Sequence, residues 1–367
     1  MKVTLNDIAQ KMGVTASTVQ RALNGSAGVS EQKRAEIAKT ANDMGYKHTT
    51  FGVGPRSAER RIAVVLPDAL SRNRYYGRYL WAGIERYTSE CTGGAPSIIR
   101  LTYETSPDMQ VSVLEALLSG AHGPFDGVVT RGSKYRELSD CLRKFEQKNI
   151  PLVLAGADSE PKHRICCVNS YEEMAGRMAA DLMLQFGAIS NQNRVLVCGN
   201  FTTVNQFNNS QGFERQMWES DVRPNVIKLS SDTDSAEVKD KIKEMIISGT
   251  PIGGVYACSA RSSVAVGDAI KECGAIGRVR AIGSDIFAES VRHLREGSLS
   301  AIIHNQPMTI AYEAMKVLDT FLKREMGRPP SSIGITPLIV MRSNMEYYMK
   351  TLMSLRLEND LRPGASR

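Results

Sequence analysis

The sequence predicts an α/β protein: a small N-terminal three-helix unit followed by a larger body of parallel sheets covered by helices. Three observations carry this expectation. Residues 4–46 hold three short apolar-periodic segments separated by caps and stops. From Arg60 onward, short β-branched runs alternate with helical patterns, as βαβ units do. Those runs fall into two series, which predicts two similar subdomains. With 367 residues, 42% of them hydrophobic, the chain is long enough for more than one buried core.

In the first unit, Thr4 precedes the apolar set Leu5, Ile8, Ala9 and Met12, and Thr4 with Asp7 matches a capping box. Gly13 ends that helix and supplies a tight turn. Thr15 caps a second helix, with Val19, Ala22 and Leu23 facing inward and Ala16, Ser17, Gln20 and Arg21 outward. Asn24-Gly25 is a stop signal. Ser30 caps a third helix, Glu31 to Met44, with Arg34, Ile37, Ala38, Ala41 and Met44 on one side and Gly45 after it.

The body offers strands at Ile62–Leu66, Ile98–Tyr103, Gly127–Thr130 and Pro151–Ala155, then at Arg194–Cys198, Asn225–Leu229, Gly253–Cys258 and Val279–Gly283. Helical stretches lie between them, among them Tyr79–Cys91, Tyr171–Phe186 and Ser262–Cys273. In such folds a ligand sits at the C-terminal ends of the strands, here between the two halves.

Charge is unevenly placed. Residues 1–61 hold ten Lys/Arg against five acids, and the rest of the chain is close to neutral although the whole carries +7. A basic module on a near-neutral body points to a polyanionic partner for that module. No apolar stretch approaches the roughly 18 residues that cross a membrane, and the N-terminal stretch lacks a secretory h-region. A membrane partner is not expected, and a cytoplasmic location is. The seven Cys are scattered without a C-x-x-C pair, which excludes a zinc site or disulfide framework by spacing. Cys166 and Cys167, if on a strand, point to opposite faces.

Two short helices joined by a Gly-containing turn form a helix-turn-helix, whose second helix enters the DNA major groove. Its small outward residues permit close approach to base edges. Gln20 suits adenine, and Arg21 suits guanine or a phosphate. The N-terminus at Thr15–Ala16 suits a phosphate. A three-helix packing unit without DNA is the alternative. The run VTLNDIAQKMGVTASTVQRALNG, followed by Val29-Ser30, Arg34, Ile37 and Met44-Gly45-Tyr46, closely resembles the headpiece of the lactose/galactose repressor (LacI/GalR) family of bacterial transcription regulators. The resemblance implies a reading face of Thr15, Ala16, Ser17, Gln20 and Arg21, with Ala16 and Ser17 as the variable pair. It places Asn24, Ser30 and Arg34 near the DNA backbone. Thr4, Leu5, Thr18 and Tyr46 complete the expected DNA-facing set.

The linker departs from the family. Members usually carry a short helix with a Leu that wedges into the minor groove. Here residues 47–56 read Lys-His-Thr-Thr-Phe-Gly-Val-Gly-Pro-Arg, whose glycines and proline oppose a helix, and Pro55 falls near the Leu position. Phe51 or Val53 substitutes as the wedge, or the segment is a plain tether.

The family's effector domain resembles periplasmic sugar-binding proteins, so the implied architecture is a headpiece (1–47), a hinge (48–61) and a two-subdomain periplasmic-binding-protein-like fold (62–345). Its N-subdomain would be 62–165 with 307–335 and its C-subdomain 166–306 with 336–345, followed by a tail (346–367). The resemblance implies a cleft with Tyr75 or Tyr76 against a sugar face, Asp285 from Gly283-Ser284-Asp285 accepting from ligand hydroxyls, and Gln306 beside the ligand. Other positions break the pattern: Gly156 stands for an Asp, Asn209 for an Arg, and Arg261-Ser262 for Asn-Asp. Arg131, ending its strand, adds a second cation to Arg261. Either both face the cleft and select an acidic, phosphorylated or unusual polyol effector over a plain hexose, or they point to solvent or pair with acids. The effector class is therefore a sugar, sugar acid, sugar phosphate or polyol.

No Gly-x-Ser-x-Gly, His-Glu-x-x-His or P-loop is present, so catalytic residues, metal ligands and cofactors are not expected. The tail carries Met345, Tyr348, Met349, Leu352 and Leu355 at helical spacing, for packing on its own domain or for oligomerisation. The resulting expectation is a homodimeric, ligand-responsive repressor of carbohydrate uptake or catabolism genes on double-stranded operator DNA. A cytoplasmic sugar receptor and an enzyme with an appended DNA module are the alternatives.

Overall fold

The computed structural model describes residues 3–23, 28–44, 60–70, 74–91, 94–104, 106–159, 162–186, 189–230 and 235–354. The expectations placed on Asn24, Tyr46, the linker from 48 to 59 and the tail beyond Ser354 lie outside the described residues.

The headpiece contains α1 (Leu5–Met12), α2 (Ala16–Leu23) and α3 (Glu31–Asp43). Its cap chemistry is the one the sequence predicts. The Thr4 N–H donates to Asp7 Oδ2 at 2.7 Å, and the Asp7 N–H donates to Thr4 Oγ1 at 3.3 Å. The Thr4 N–H and the Thr4 hydroxyl, which also donates to Asp7 Oδ2 at 2.8 Å, hold the Asp7 carboxyl below its usual range. Gly13 adopts φ 63°, which ends α1 and turns the chain into α2. The Thr18 N–H donates to Thr15 Oγ1 at 3.2 Å, and the Lys33 N–H to Ser30 Oγ at 3.3 Å. Ile8, Val19 and Ile37 meet in a small core in which Ala9, Ala22 and Ala41 permit close helix approach. Ala38 is exposed rather than inward. The α3 stripe follows Ile37 and Ala41, one helical turn apart, and Ala38 lies on its flank, about 100° from Ile37 and about 60° from Ala41.

The first sheet of the body begins with β1 (Arg61–Pro67), α4 (Arg74–Glu90), β2 (Ser97–Tyr103), α5 (Pro107–Leu118), β3 (Gly127–Thr130), α6 (Arg136–Gln147), β4 (Leu152–Ala155) and β5 (Cys166–Ser170). The chain then builds a second sheet through α7 (Glu172–Gln185), β6 (Arg194–Gly199), α8 (Val204–Glu219), β7 (Asn225–Ser230), α9 (Ser235–Ile247), β8 (Ile252–Ala257), α10 (Ala260–Glu272), β9 (Arg280–Ser284), α11 (Ala288–Glu296) and β10 (Ala301–His304). It returns through α12 (Pro307–Leu322) and β11 (Ser332–Ile335), crosses again to β12 (Leu338–Val340), and closes with α13 (Met345–Ser354). The strand orders are β11-β5-β4-β3-β1-β2 and β12-β10-β9-β8-β6-β7. Every described pairing is parallel except β10 with β12.

Parallel strands are buried on both faces, so they alternate between two cores. Ile62, Val64 and Leu66 face the α4–α12 side, and Ala63 and Val65 face the opposite core. Cys166 and Cys167 divide in the same way, and burial pushes both thiols up, that of Cys166 to about 11. Such thiols are packing groups with little thiolate character.

Three of the expected boundaries shift. Cys166–Ser170 is a strand of the first sheet, so the chain leaves the N-subdomain after Ser170 and not after 165. Met345 and Met349 are buried in the second core, which makes α13 part of that lobe and not a tail. Arg61 opens β1, and Arg60 is already fixed to the body. Its Nε donates to Asp319 Oδ1 at 2.6 Å, while Lys323 Nζ (2.8 Å) and Tyr87 Oη (2.7 Å) hold the other oxygen. Burial alone raises the Asp319 carboxyl, but the bonds from Lys323, Tyr87 and Arg60 outweigh it and hold the group below the usual range.

Helices α7 and α8 cross at backbone contact. A Cβ on Gly176 would lie 1.9 Å from the Asn209 carbonyl oxygen, and one on Gly212 would lie 2.0 Å from that of Glu173. This reciprocal pair sets the start of α7 beside the first turns of α8. Gly212→Ala should destabilise the protein by roughly 1–3 kcal/mol or more, read from the urea midpoint, because backbone must move to admit the methyl. An unchanged midpoint would contradict the crossing.

Candidate functional site

A cavity of about 540 Å³ lies between the two sheets. Part of its wall is made by residues just beyond strands, and much of the rest by the first turns of α4, α8 and α10. Arg131 follows β3, Glu172 lies just beyond β5, Cys258 follows β8, Asp285 follows β9 and Asn305 follows β10. The parallel topology produces this arrangement, since it brings all these strand ends to one edge of each sheet.

Of the residues expected at the effector, Tyr75, Tyr76, Arg131, Asn209, Arg261 and Asp285 line the cavity. Gln306 does not. Its Nε2 donates to the Thr336 carbonyl at 2.7 Å, and its backbone sits at φ 58° as it caps α12. The neighbouring Asn305 takes the place in the wall. Gln306 instead ties two chain crossings together.

Asp285 also has a positive φ, 63°, and is buried. Its Oδ1 accepts from the Asn305 N–H at 2.8 Å and lies 3.2 Å from His304 Nδ1. This fixes the carboxylate while leaving its other oxygen for a ligand hydroxyl. Asn209 is buried, with its Oδ1 accepting from Tyr256 Oη at 3.3 Å. Tyr75 bridges the lobes: its Oη donates to Glu289 Oε1 at 3.2 Å, and its ring lies 4.8 Å from that of Phe287. Tyr79, on the same helix, is buried in the core of the opposite lobe. Asn205 of α8 reaches the Gly156 carbonyl across the cleft and donates to Glu172 Oε1 at 3.0 Å. The lobes are thus closed upon each other.

Gly156 matters for Tyr76. It has φ 84°, and a Cβ there would sit 2.4 Å from Tyr76 Oη. The phenol occupies the volume that an Asp at this position would need. The Arg131 guanidinium lies 4.8 Å from the Tyr76 ring, and its Nε is buried without a hydrogen-bond partner. Burial pushes the Tyr76 phenol well up, so it stays neutral.

Glu172 was missed by sequence reasoning. It is buried, and burial pushes its carboxyl up to about 7 against the opposing hydrogen bonds from its own backbone, Asn208 and Asn169 and the charge of Arg131. The available signal was its place just beyond a strand, but Cys166–Ser170 ends in polar Asn and Ser and does not read as one.

In the headpiece, Thr4, Thr15, Ser17, Gln20, Arg21 and Ser30 are exposed, while Ala16, Thr18, Leu5 and Arg34 are half-buried. Leu5 and Ala16 pack against the headpiece core, and Arg34 Nη2 donates to the Val29 carbonyl at 3.3 Å. Ser17, Gln20 and Arg21 share the outer face of α2 at helical spacing. Among the described residues no cluster of His, Cys, Asp and Glu suits a metal ion, and no helix is long and apolar enough to cross a membrane.

Because the folded Glu172 carboxyl titrates above its ordinary range, its neutral form favours the folded state. Stability from this group is present below the ordinary carboxyl range and is lost as pH rises through about 7. Glu172→Gln should therefore stabilise the unliganded protein at pH about 8 by on the order of 2–3 kcal/mol, with little effect at pH about 5, in paired denaturant titrations. Equal effects at both values would rule out a buried, proton-holding Glu172.

Residues 4–48 match the family of bacterial regulatory proteins, lacI family, and residues 62–326 match the periplasmic binding protein domain. The chain is similar to the HTH-type transcriptional regulator DegA of Bacillus subtilis (strain 168), 26% identical over 60% of this chain and 63% of that protein. It is also similar to the catabolite control protein A of Staphylococcus epidermidis, 26% identical over 51% of this chain and 54% of that protein. These matches span less than two thirds of the relatives' lengths. Among solved structures it resembles a putative LacI transcriptional regulator from Bacteroides fragilis (TM-score 0.68, 16% identity, 79% of this chain and 99% of that one). It also resembles an ABC transporter solute binding protein from Bacillus halodurans C-125 with bound myo-inositol (TM-score 0.70, 16% identity, 81% of this chain and 99% of that one). At these identities the structural likeness is one of fold. The chain belongs to the periplasmic binding protein domain family through its two-lobed body, and it carries the regulatory headpiece of the lacI family ahead of it.

Proposed function

We propose that this chain is a sequence-specific DNA-binding transcription regulator, a repressor of carbohydrate uptake or catabolism genes, controlled by a small polyhydroxylated effector held between its lobes. It acts in the cytoplasm as a homodimer, without catalysing a reaction. One observation carries the reading. Ser17, Gln20 and Arg21 stand exposed on one side of α2 while Val19 and Ala22 lock the other side into the headpiece, in a chain whose body encloses a polar cavity.

The chemistry supports each half. A short helix with small and amide side chains outward lies close to base edges, and Gln20 and Arg21 have the donor patterns that read adenine and guanine. One such headpiece makes few phosphate contacts and binds weakly outside its site. Two in a dimer would engage half-sites about 34 Å apart with the second engagement nearly intramolecular. The cavity offers Asp285, Asn205 and Asn209 to hydroxyl groups, and a ligand that prefers one lobe arrangement shifts the population toward it.

Gel retardation with DNA from upstream of the protein's own coding region tests the reading. Gln20→Ala and Arg21→Ala should each weaken specific binding by about 10- to 100-fold, with the weak salt-sensitive background nearly kept. If the double variant shifts every fragment as the parent does, α2 is not the reading helix.

A further inference from the structure

We propose that the effector carries one anionic group, a carboxylate or a phosphate, seated on Arg131 beside Tyr76, while its hydroxyls meet Asp285 and the asparagines of α8. The proposal rests on the reading of the cavity as the effector site and names the chemistry of the ligand that fills it.

Arg131, half-buried in the cavity wall, differs from Arg164 and Arg60. Arg164 is paired with Asp158, with Nη2 to Oδ2 at 2.5 Å and Nε to Oδ1 at 2.7 Å. Arg60 is paired with Asp319. Arg131 makes no ion pair among the described residues, and its Nε is buried without any acceptor. A buried guanidinium N–H left without an acceptor is unfavourable unless something completes it. The surroundings hold it in place for that purpose. Gln110, itself buried, donates from Nε2 to the Arg131 carbonyl at 2.7 Å and to Thr130 Oγ1 at 2.9 Å. The Tyr76 ring supports the guanidinium, and Gly156 receives the phenol. Arg is the side chain whose planar fork matches a carboxylate or phosphate with two parallel hydrogen bonds. A neutral hexose would leave the fork unfilled.

Glu172 makes binding of this group depend on protons. The titratable groups that face it are Arg131 on the loop after β3, Tyr76 on α4 and Cys167 on β5; α8 presents the neutral Asn205 and Asn208, and β5 the neutral Asn169. Asp285 lines the same cavity from the end of β9. With its carboxyl held up to about 7, Glu172 is protonated or ionised within a narrow pH range. Ionised, it competes for Arg131 and repels an anion. Neutral, it does neither and offers an O–H. An anionic effector and a proton on Glu172 therefore favour each other, and affinity rises as pH falls through that range.

Calorimetric titration of the full chain with matched sets tests this: glucose, glucuronate and glucose 6-phosphate; galactose, galacturonate and galactose 6-phosphate; inositol and inositol phosphate. At least one anion should bind about tenfold or more tightly than its neutral parent, the carboxylate and phosphate arms identifying the group. Arg131→Gln should abolish that advantage, so that the anion binds no more tightly than its neutral parent, while Arg131→Lys keeps part of it. For a carboxylate ligand, whose own charge is constant there, affinity should be about tenfold greater at pH about 6 than at pH about 8, and Glu172→Gln should flatten that dependence. A neutral parent binding as tightly as its anions overturns the proposal. So does an Arg131→Gln protein that keeps the preference, or a panel in which no anion binds. Gel retardation of the parent protein separates the two readings: if specific DNA binding persists, only the effector chemistry falls, and if it is absent, the regulator reading falls with it.

Discussion

Three passages of chain run between the sheets, and the two lobes share a cavity only because those passages lie side by side. Ser170 Oγ donates to Asn305 Oδ1 at 3.2 Å, joining the first crossing to the second. The Tyr171 N–H donates to the Ile335 carbonyl at 3.1 Å, and Gln306 Nε2 donates to that of Thr336, joining both to the third. Asn305 extends the network through its own N–H to Asp285. Two of the participants, Asp285 and Gln306, hold positive φ values that only a surrounding structure can enforce on residues other than glycine. Side-chain amides and backbone carbonyls thus fix where the strand ends meet, and the strand ends carry the site.

The same closeness sets the electrostatics. Glu172, Asp285 and Arg131 line one cavity and Glu172 and Asp285 are buried, so each depends strongly on its neighbours. Asp285 is held by an N–H and faces an imidazole. Glu172 has uncharged amides around it and is desolvated, so its carboxyl titrates near neutrality. Arg131 has an aromatic face below it and makes no ion pair among the described residues. Three charged residue types on neighbouring strand ends therefore have three different states of satisfaction, and among them the Arg131 Nε is the buried atom without a hydrogen-bond partner.

Helix α12 connects these features to the point where the body receives the linker. It starts at Gln306 and Pro307, in the crossing network, and its last turns carry Asp319, whose buried carboxylate grips Arg60. Along its length it packs on α4, where a Cβ on Gly83 would lie 2.2 Å from the Met308 carbonyl oxygen. Helix α4 in turn sends Tyr75 and Tyr79 into the opposite lobe. One packed helix pair therefore links the crossing network to Arg60, the first described residue of the body.

Local chemistry was legible in the sequence. The Thr4–Asp7 box, Gly13, Thr15 and Ser30 are short-range signals, in which a side chain satisfies backbone groups within a few residues of itself, and each forms as read. The alternation of Cys166 and Cys167 follows from the pleat of a strand. Six of the seven residues named from the sequence as effector contacts line the cavity; Arg131 and Asp285 do so because parallel strands deliver their C-terminal ends to one edge, and the other four lie on the helices that follow strands. What the sequence left undetermined needed partners distant along the chain. Glu172 acquires its proton affinity from α8 and from the loop after β3; Gln306 leaves the cavity because Thr336, on another crossing, offers it a carbonyl; and Gly156 is required because Tyr76 fills the space above it. A side chain's charge state and direction are set by what packs against it, and only the tertiary structure decides which residues those are.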